Sequence, residues 1–156
     1  MSDELDHEPP VLPALLRAAR GAYGDAVREQ LAAGGFDDMP RNGPYVIGGA
    51  ANHGAPIPGL IRELGVSKQA ASQLIDTLVL RGYLERRPDP EDRRKIVIDL
   101  TERGEAAAAA VQTGVQEVDL ELADAISPEQ MKGLRIGLFT LWQIAERRRG
   151  HETELG

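Results

Sequence analysis

The chain has 156 residues, a net charge of −7 from 18 Lys and Arg against 25 Asp and Glu, and no cysteine. That size fits one compact domain, or one domain with helical extensions for pairing, and the acidic total argues against a protein that coats nucleic acid indiscriminately. Without cysteine there is no disulfide, thiol switch or cysteine metal site, and no apolar run reaches the roughly 18 residues of a membrane span.

Residues 1–10, MSDELDHEPP, are acidic and lack both a basic segment and an apolar core. They read as a flexible tail and not as a secretory signal, so the cytoplasm is the expected location. From Leu12 to Ala33 the spacing predicts a long helix, with Leu12, Leu16, Ala19, Tyr23, Ala26 and Gln30 on one stripe. Gly34-Gly35 stops it, and Gly21 and Gly24 weaken it enough that packing against a partner has to hold it. Met39 to Asn52 is harder to read, because Pro40, Gly43, Pro44, Gly48 and Gly49 damage a free-standing helix although Tyr45, Val46 and Ile47 are apolar. His53 to Pro58 is expected to be a linker.

Pro58 to Gly104 is the most informative stretch. Leu60, Ile61 and Leu64 give a short amphipathic helix, and Gly65 stands where a left-handed residue ends it. Val66 can plug a corner between helices, and Ser67 can cap the next helix, about Lys68 to Arg81. On that helix Ala70, Ala71, Leu74, Ile75 and Leu78 form the inward face, while Lys68, Gln69, Ser72, Gln73 and Asp76 point outward. Gln can bond an adenine edge bidentately and Lys can reach guanine or phosphate, so the outward face suits a major groove. A plain solvated face would carry the same residue types.

Gly82 ends the helix, and Tyr83 to Arg87 reads as a short strand. Pro88-Asp89-Pro90-Glu91-Asp92 is a turn, after which Ile96, Ile98 and Leu100 alternate with Lys95, Val97 and Asp99 as in a half-buried strand. Two strands with Arg93 and Arg94 at the tip and Arg86 and Arg87 at the base make a β-wing, and such arginines suit the minor groove and phosphates. Ile57 to Gly104 holds nine basic against eight acidic residues, so it is slightly positive within an acidic chain. Thr101 can cap a helix from Glu102 to Ala125, where Val111, Val115, Val118 and Leu122 mark one stripe. Ser127-Pro128-Glu129-Gln130 then spells a capping box for a helix to about Arg148. Met131, Leu134, Leu138, Leu141 and Ala145 form a seam that two copies of the chain could bury together.

The combination of Leu64-Gly65-Val66-Ser67, Arg81-Gly82-Tyr83-Leu84-Glu85-Arg86, Asp92-x-Arg94 and Leu100-Thr101-x-x-Gly104 resembles the winged helix-turn-helix of the MarR family of transcriptional regulators. The likeness is close over about the middle third. It implies a helix from about Gly43 to Asn52, an Arg94 that enters the minor groove, and an Asp92 that holds it. It also implies a mainly α fold with a small β-wing, the winged helix-turn-helix flanked by N- and C-terminal dimerisation helices. The expected organisation is a single domain over 11–149, with a DNA-binding core at 40–104, dimerisation helices at 12–33 and 102–148, and a tail at 150–156.

The expected function is a sequence-specific DNA-binding regulator, a repressor relieved by a small-molecule ligand. Its partners would be double-stranded DNA with a pseudo-palindromic operator and a second copy of the chain, with no membrane. The DNA-binding candidates are Ser67, Lys68, Gln69, Ser72, Gln73, Arg86, Arg93 and Arg94, with Asp92 supporting the wing. In MarR-like proteins a ligand, often aromatic, sits between the dimer helices and the winged domain. Tyr23, Tyr45, His53 and Trp142 are the candidates for such a pocket, although both tyrosines and the tryptophan fit ordinary core better. His7, His53 and His151 form no metal pattern, no phosphate loop is present, and neither a cofactor nor an enzyme activity is expected. Two other readings stay open, a winged-helix module for protein–protein contact and a small-molecule-binding helical dimer without DNA.

Overall fold

The computed structural model describes residues 10–53 and 56–154. The elements in order are α1 (Leu12–Ala33), α2 (Gly43–His53), α3 (Ile57–Glu63), α4 (Lys68–Leu80), β1 (Leu84–Pro88), β2 (Ile96–Leu100), α5 (Glu102–Ala125) and α6 (Pro128–Glu154). The fold is mainly α with one two-stranded antiparallel sheet. Residues 1–9, most of the expected N-terminal tail, lie outside the described residues, as do Gly54 and Ala55 of the expected linker. The rest of that linker is shorter than expected. His53 closes α2, while Ile57 and Pro58 already belong to α3, whose first turn accepts proline because its N–H would go unpaired there anyway.

The chain divides into two compact units, 1–118 and 119–156, with α5 running through the division. The core of the first unit gathers Val27 and Leu31 of α1, Val46 and Ile47 of α2, Ile57 and Ile61 of α3, Leu78 of α4, Tyr83, Leu84, and Ala107 and Val111 of α5. Only the C-terminal half of α1 is buried. Val27 and Leu31 are its buried residues, whereas Leu12 and Leu16 of the expected stripe remain exposed. Gly114 lets α5 approach α1 closely, since a Cβ there would come within 2.8 Å of the backbone of Ala26 and Val27. Gln30 Nε2 donates to Glu117 Oε1 at 2.6 Å across the same pair of helices.

The second unit holds the end of α5 and all of α6. Its turn is closed by the reciprocal pair expected of a capping box: Gln130 N–H donates to Ser127 Oγ at 3.2 Å, and Ser127 N–H donates to Gln130 Oε1 at 2.8 Å. Helix α6 runs past Arg148 to Glu154, into the stretch expected to be a tail, because no proline follows to stop it and Gly150 alone costs only about 1 kcal/mol. Along α6, Leu134, Ile136, Leu138, Phe139, Leu141 and Trp142 are all exposed.

Candidate nucleic-acid interface

The helix-turn-helix is formed by α3 and α4. Leu64 caps α3, and Gly65 adopts φ +64°, a left-handed conformation that glycine takes without steric cost. Ser67 Oγ accepts from the Ala70 N–H at 3.2 Å and so satisfies one of the free donors in the first turn of α4. Helix α4 separates its faces as its sequence requires. Leu78 is wholly buried and Ala70, Ala71, Leu74 and Ile75 are half-buried, whereas Ser67, Lys68, Gln69, Ser72, Gln73 and Asp76 are exposed. The polar residues therefore form one outward ridge.

The wing follows from the left-handed turn at Gly82 (φ +75°), which returns the chain from α4 into β1. β1 and β2 pair in the register Leu84↔Leu100, Arg86↔Ile98 and Pro88↔Ile96, so these residues share one face. Leu84, Ile98 and Leu100 pack on the core, but Ile96 is 62% exposed because the hairpin has by then left the body of the protein. Arg86, on the same face, reaches Asp76 on α4 with Nη2 2.5 Å from Oδ1. Wing and ridge are thus tied together through a residue expected to touch DNA.

At the tip, Asp89 accepts from the N–H groups of Glu91 (2.7 Å) and Asp92 (3.3 Å), forming an Asx turn. Asp92 Oδ1 accepts the Arg94 backbone N–H at 3.1 Å, and its other oxygen lies 4.0 Å from Lys95 Nζ. Asp92 therefore holds Arg94 by its main chain, and among the described residues the guanidinium is left unengaged. The basic residues at the wing and beside α4 fall into two groups. Arg86 pairs with Asp76, Arg87 with Asp99 and Arg103 with Asp38, and Arg81 donates to the Asp38 carbonyl. Among the described residues no carboxylate pairs with Arg41, Lys68, Arg93 or Arg94.

One cluster goes beyond the residues singled out from sequence. The Tyr83 ring is wholly buried, and its hydroxyl donates to Asp38 Oδ1 in the loop between α1 and α2. Arg103 of α5 donates to the same oxygen at 3.0 Å and to the tyrosine oxygen at 3.1 Å, with its guanidinium 4.7 Å from the Tyr83 ring centre and 5.4 Å from that of Phe36. The Tyr83 hydrogen bond, and then Arg103, hold the Asp38 carboxyl below the usual range; burial, and then Asp38, push the Tyr83 hydroxyl up. This cluster fixes the root of the wing against two helices. Thr101 adds to it, donating to the Gly82 carbonyl while accepting from Gly104 N–H at 3.0 Å to cap α5.

The effector candidates fall on different elements. Tyr23 is half-buried on α1, and Tyr45 is 48% exposed with its hydroxyl donating to Glu63 at 2.6 Å. His53 is the last residue of α2, and its side chain lies outside the described residues. Trp142 belongs to the second unit, where its ring stacks on Phe139 at 5.6 Å. A cleft of about 220 Å³ opens elsewhere, lined by Arg41, Asn42, Val66, Ala70, Gln73 and Thr77 among others. Val66 thus borders an open cleft, one-third exposed, where a buried plug was expected.

The family model described as MarR family matches residues 45–95, from α2 to the tip of the wing. Over this stretch the chain is similar to the MarR family. Several solved structures share the fold over most of the chain. MepR from S. aureus, in its DNA-binding conformation, superposes with a TM-score of 0.70 at 17% identity, covering 87% of this chain and 99% of that one. FabT from Streptococcus pneumoniae, in complex with DNA, gives 0.65 at 21% identity over 86% and 96%. A mutant of MarR from E. coli, complexed with operator DNA, gives 0.62 at 22% identity over 83% and 92%. An uncharacterized protein of Mycobacterium tuberculosis is 32% identical over 82 residues, 53% of this chain and 57% of that protein. Among the described residues no helix is long and apolar enough to cross a membrane.

Proposed function

We propose that this chain is a homodimeric, sequence-specific DNA-binding regulator of the MarR type, a cytoplasmic repressor relieved by a small, aromatic effector. The observation that carries the reading is the joined ridge and wing. Lys68, Gln69, Ser72 and Gln73 are exposed along α4, and the Arg86–Asp76 pair ties that helix to a hairpin whose Arg93 and Arg94 are not spent on internal carboxylates. The ridge supplies base-reading groups for a major groove, and Arg94 supplies a cation for the minor groove beside it. The DNA complexes solved for FabT and MarR, which share this fold, support the same use.

A dimer would present the unit twice about a two-fold axis, so the operator is a pseudo-palindrome with half-sites roughly one helical turn apart. The effector acts by favouring a spacing of the two ridges that B-DNA does not match. Tyr23, Tyr45, His53 and Trp142 are the side chains we assign to it.

Selection of bound duplexes from a random pool tests the proposal. Recovery of a palindromic consensus, bound more tightly than a scrambled duplex and more weakly as salt rises, is the expected result. Recovery of no consensus, with equal binding to scrambled DNA, would overturn it.

A further inference from the structure

We infer that Arg41 is a second clamp on the DNA backbone, set against the flank of the recognition ridge opposite the wing. The inference rests on the DNA-binding reading above and adds a contact to it. At about 100° per residue around α4, Gln73, Thr77 and Ala70 lie on one flank of the ridge, and Lys68, Ser72 and Asp76 lie on the other. Asp76 receives Arg86 and so marks the wing side. Gln73, Thr77 and Ala70 line the cleft whose far wall is Pro40, Arg41 and Asn42.

The 40–43 turn is a firm mount for a cation. Gly43 N–H donates to the Pro40 carbonyl at 2.8 Å, Pro40 fixes its own φ, and a side chain at Gly43 would meet Met39 Sδ at 2.5 Å. Arg41 is exposed there, and among the described residues no carboxylate pairs with it. A helix seated in a major groove has a phosphate strand along each edge. With Arg94 beyond one edge and Arg41 beyond the other, the ridge is bracketed by cations, and a guanidinium on a rigid turn pairs with phosphate bidentately. Such a contact carries no sequence information and sets register and affinity.

Dissociation constants are measured between 50 and 200 mM salt for a duplex recovered by selection and for a scrambled duplex of equal length. Arg41→Ala and Arg41→Gln are compared with the parent protein, and Arg28→Ala, which alters only an exposed pair with Asp25 on α1, is the control. Both Arg41 variants should weaken binding to the two duplexes by a similar factor. The slope of log affinity against log salt should drop by about 0.9, the share of one phosphate contact. Arg41→Lys should keep the slope. An unchanged slope and affinity in both neutral variants would remove Arg41 from the interface while leaving the ridge and wing in place. A parent protein with no salt-dependent binding to either duplex would overturn the DNA-binding reading and this contact with it.

Discussion

At the scale of single residues, Tyr83 shows how one side chain serves both core and surface. Its buried ring fills the centre of the first unit, while its hydroxyl donates to Asp38 and accepts from Arg103. Tyr83→Phe keeps the ring and removes the hydroxyl, so chemical denaturation at neutral pH should show a loss of roughly 1 kcal/mol. The pH dependence has a definite sign. Asp38 has a lowered pKa, so its contribution is present above the ordinary carboxylate value near about 3.9 and is lost as pH falls through the folded value. Tyr83 has a raised pKa, so its contribution is complete below about 10 and is lost as pH rises through the folded value. Thermal melting should therefore decline on both sides, and Tyr83→Phe should lose the alkaline decline that this hydroxyl causes. The arginines invite a sharper contrast. Arg94→Ala should weaken operator binding with the melting temperature nearly unchanged, because its guanidinium touches no described carboxylate; Arg86→Ala should weaken binding and also lower stability by about 0–1 kcal/mol, the worth of an exposed pair. Unaltered affinity for Arg94→Ala would remove the wing from the mechanism. Little of this sorting was legible from composition. Arg86, Arg87, Arg93 and Arg94 look alike in sequence, and only the pleat and the position of α4 decide which find a partner. Asp38 lies in a connecting loop that no periodicity marks.

At the scale of elements, the boundaries follow signals that act over three or four residues, and these are what a sequence displays. Ser67, Thr101 and Ser127 each accept a bond from a first-turn amide, and Gly35, Gly65 and Gly82 adopt φ of +77°, +64° and +75° where the chain must reverse. Helices α1 and α5 therefore span the residues their patterns indicate, and the alternation of Ile96, Ile98 and Leu100 matches the observed register. What the pattern could not supply was which part of a stripe becomes covered. Leu12 and Leu16 look as apolar as Val27 and Leu31, yet only the latter pair meets α2 and α5 in the first-unit core. Close approaches were equally hidden. Gly104 reads as the end of a motif, but a Cβ there would lie 2.1 Å from the Tyr83 carbonyl oxygen, so the start of α5 sits directly on the root of the wing. Gly104→Ala must move backbone and should cost about 3 kcal/mol, measured by denaturation. Ser127→Ala removes only one cap bond and should cost about 1 kcal/mol. If Gly104→Ala proved as mild as Ser127→Ala, the packing at the wing root would be looser than the geometry indicates.

At the scale of the whole molecule, the apolar surface of α6 asks for a partner. Leu134 and Leu138 are each 41% exposed, Leu141 36%, Ile136 58%, Phe139 57% and Trp142 56%, all within three turns of one helix. Exposed apolar area of this density on one element marks an association surface in a stable protein. The proposed occupant is the same helix of a second copy. The seam of Leu134, Leu138 and Leu141 repeats at three and four residues, and a two-fold arrangement lets one repeat cover its own image. Burying a leucine is worth about 1.5–3 kcal/mol, and symmetry counts each substitution twice. Leu138→Asp should therefore give a monomer by sedimentation, because two carboxylates would have to enter the seam without partners. The first unit has its own core, which holds no residue of α6, so the winged helix should still fold and show its helical signal. Operator binding should fall steeply all the same, since a single ridge and wing read one half-site and lose the joint placement that the pair provides. A Leu138→Asp protein that sediments as a dimer would place the interface on another surface. A monomer that retained full affinity would show that one copy of the winged unit suffices.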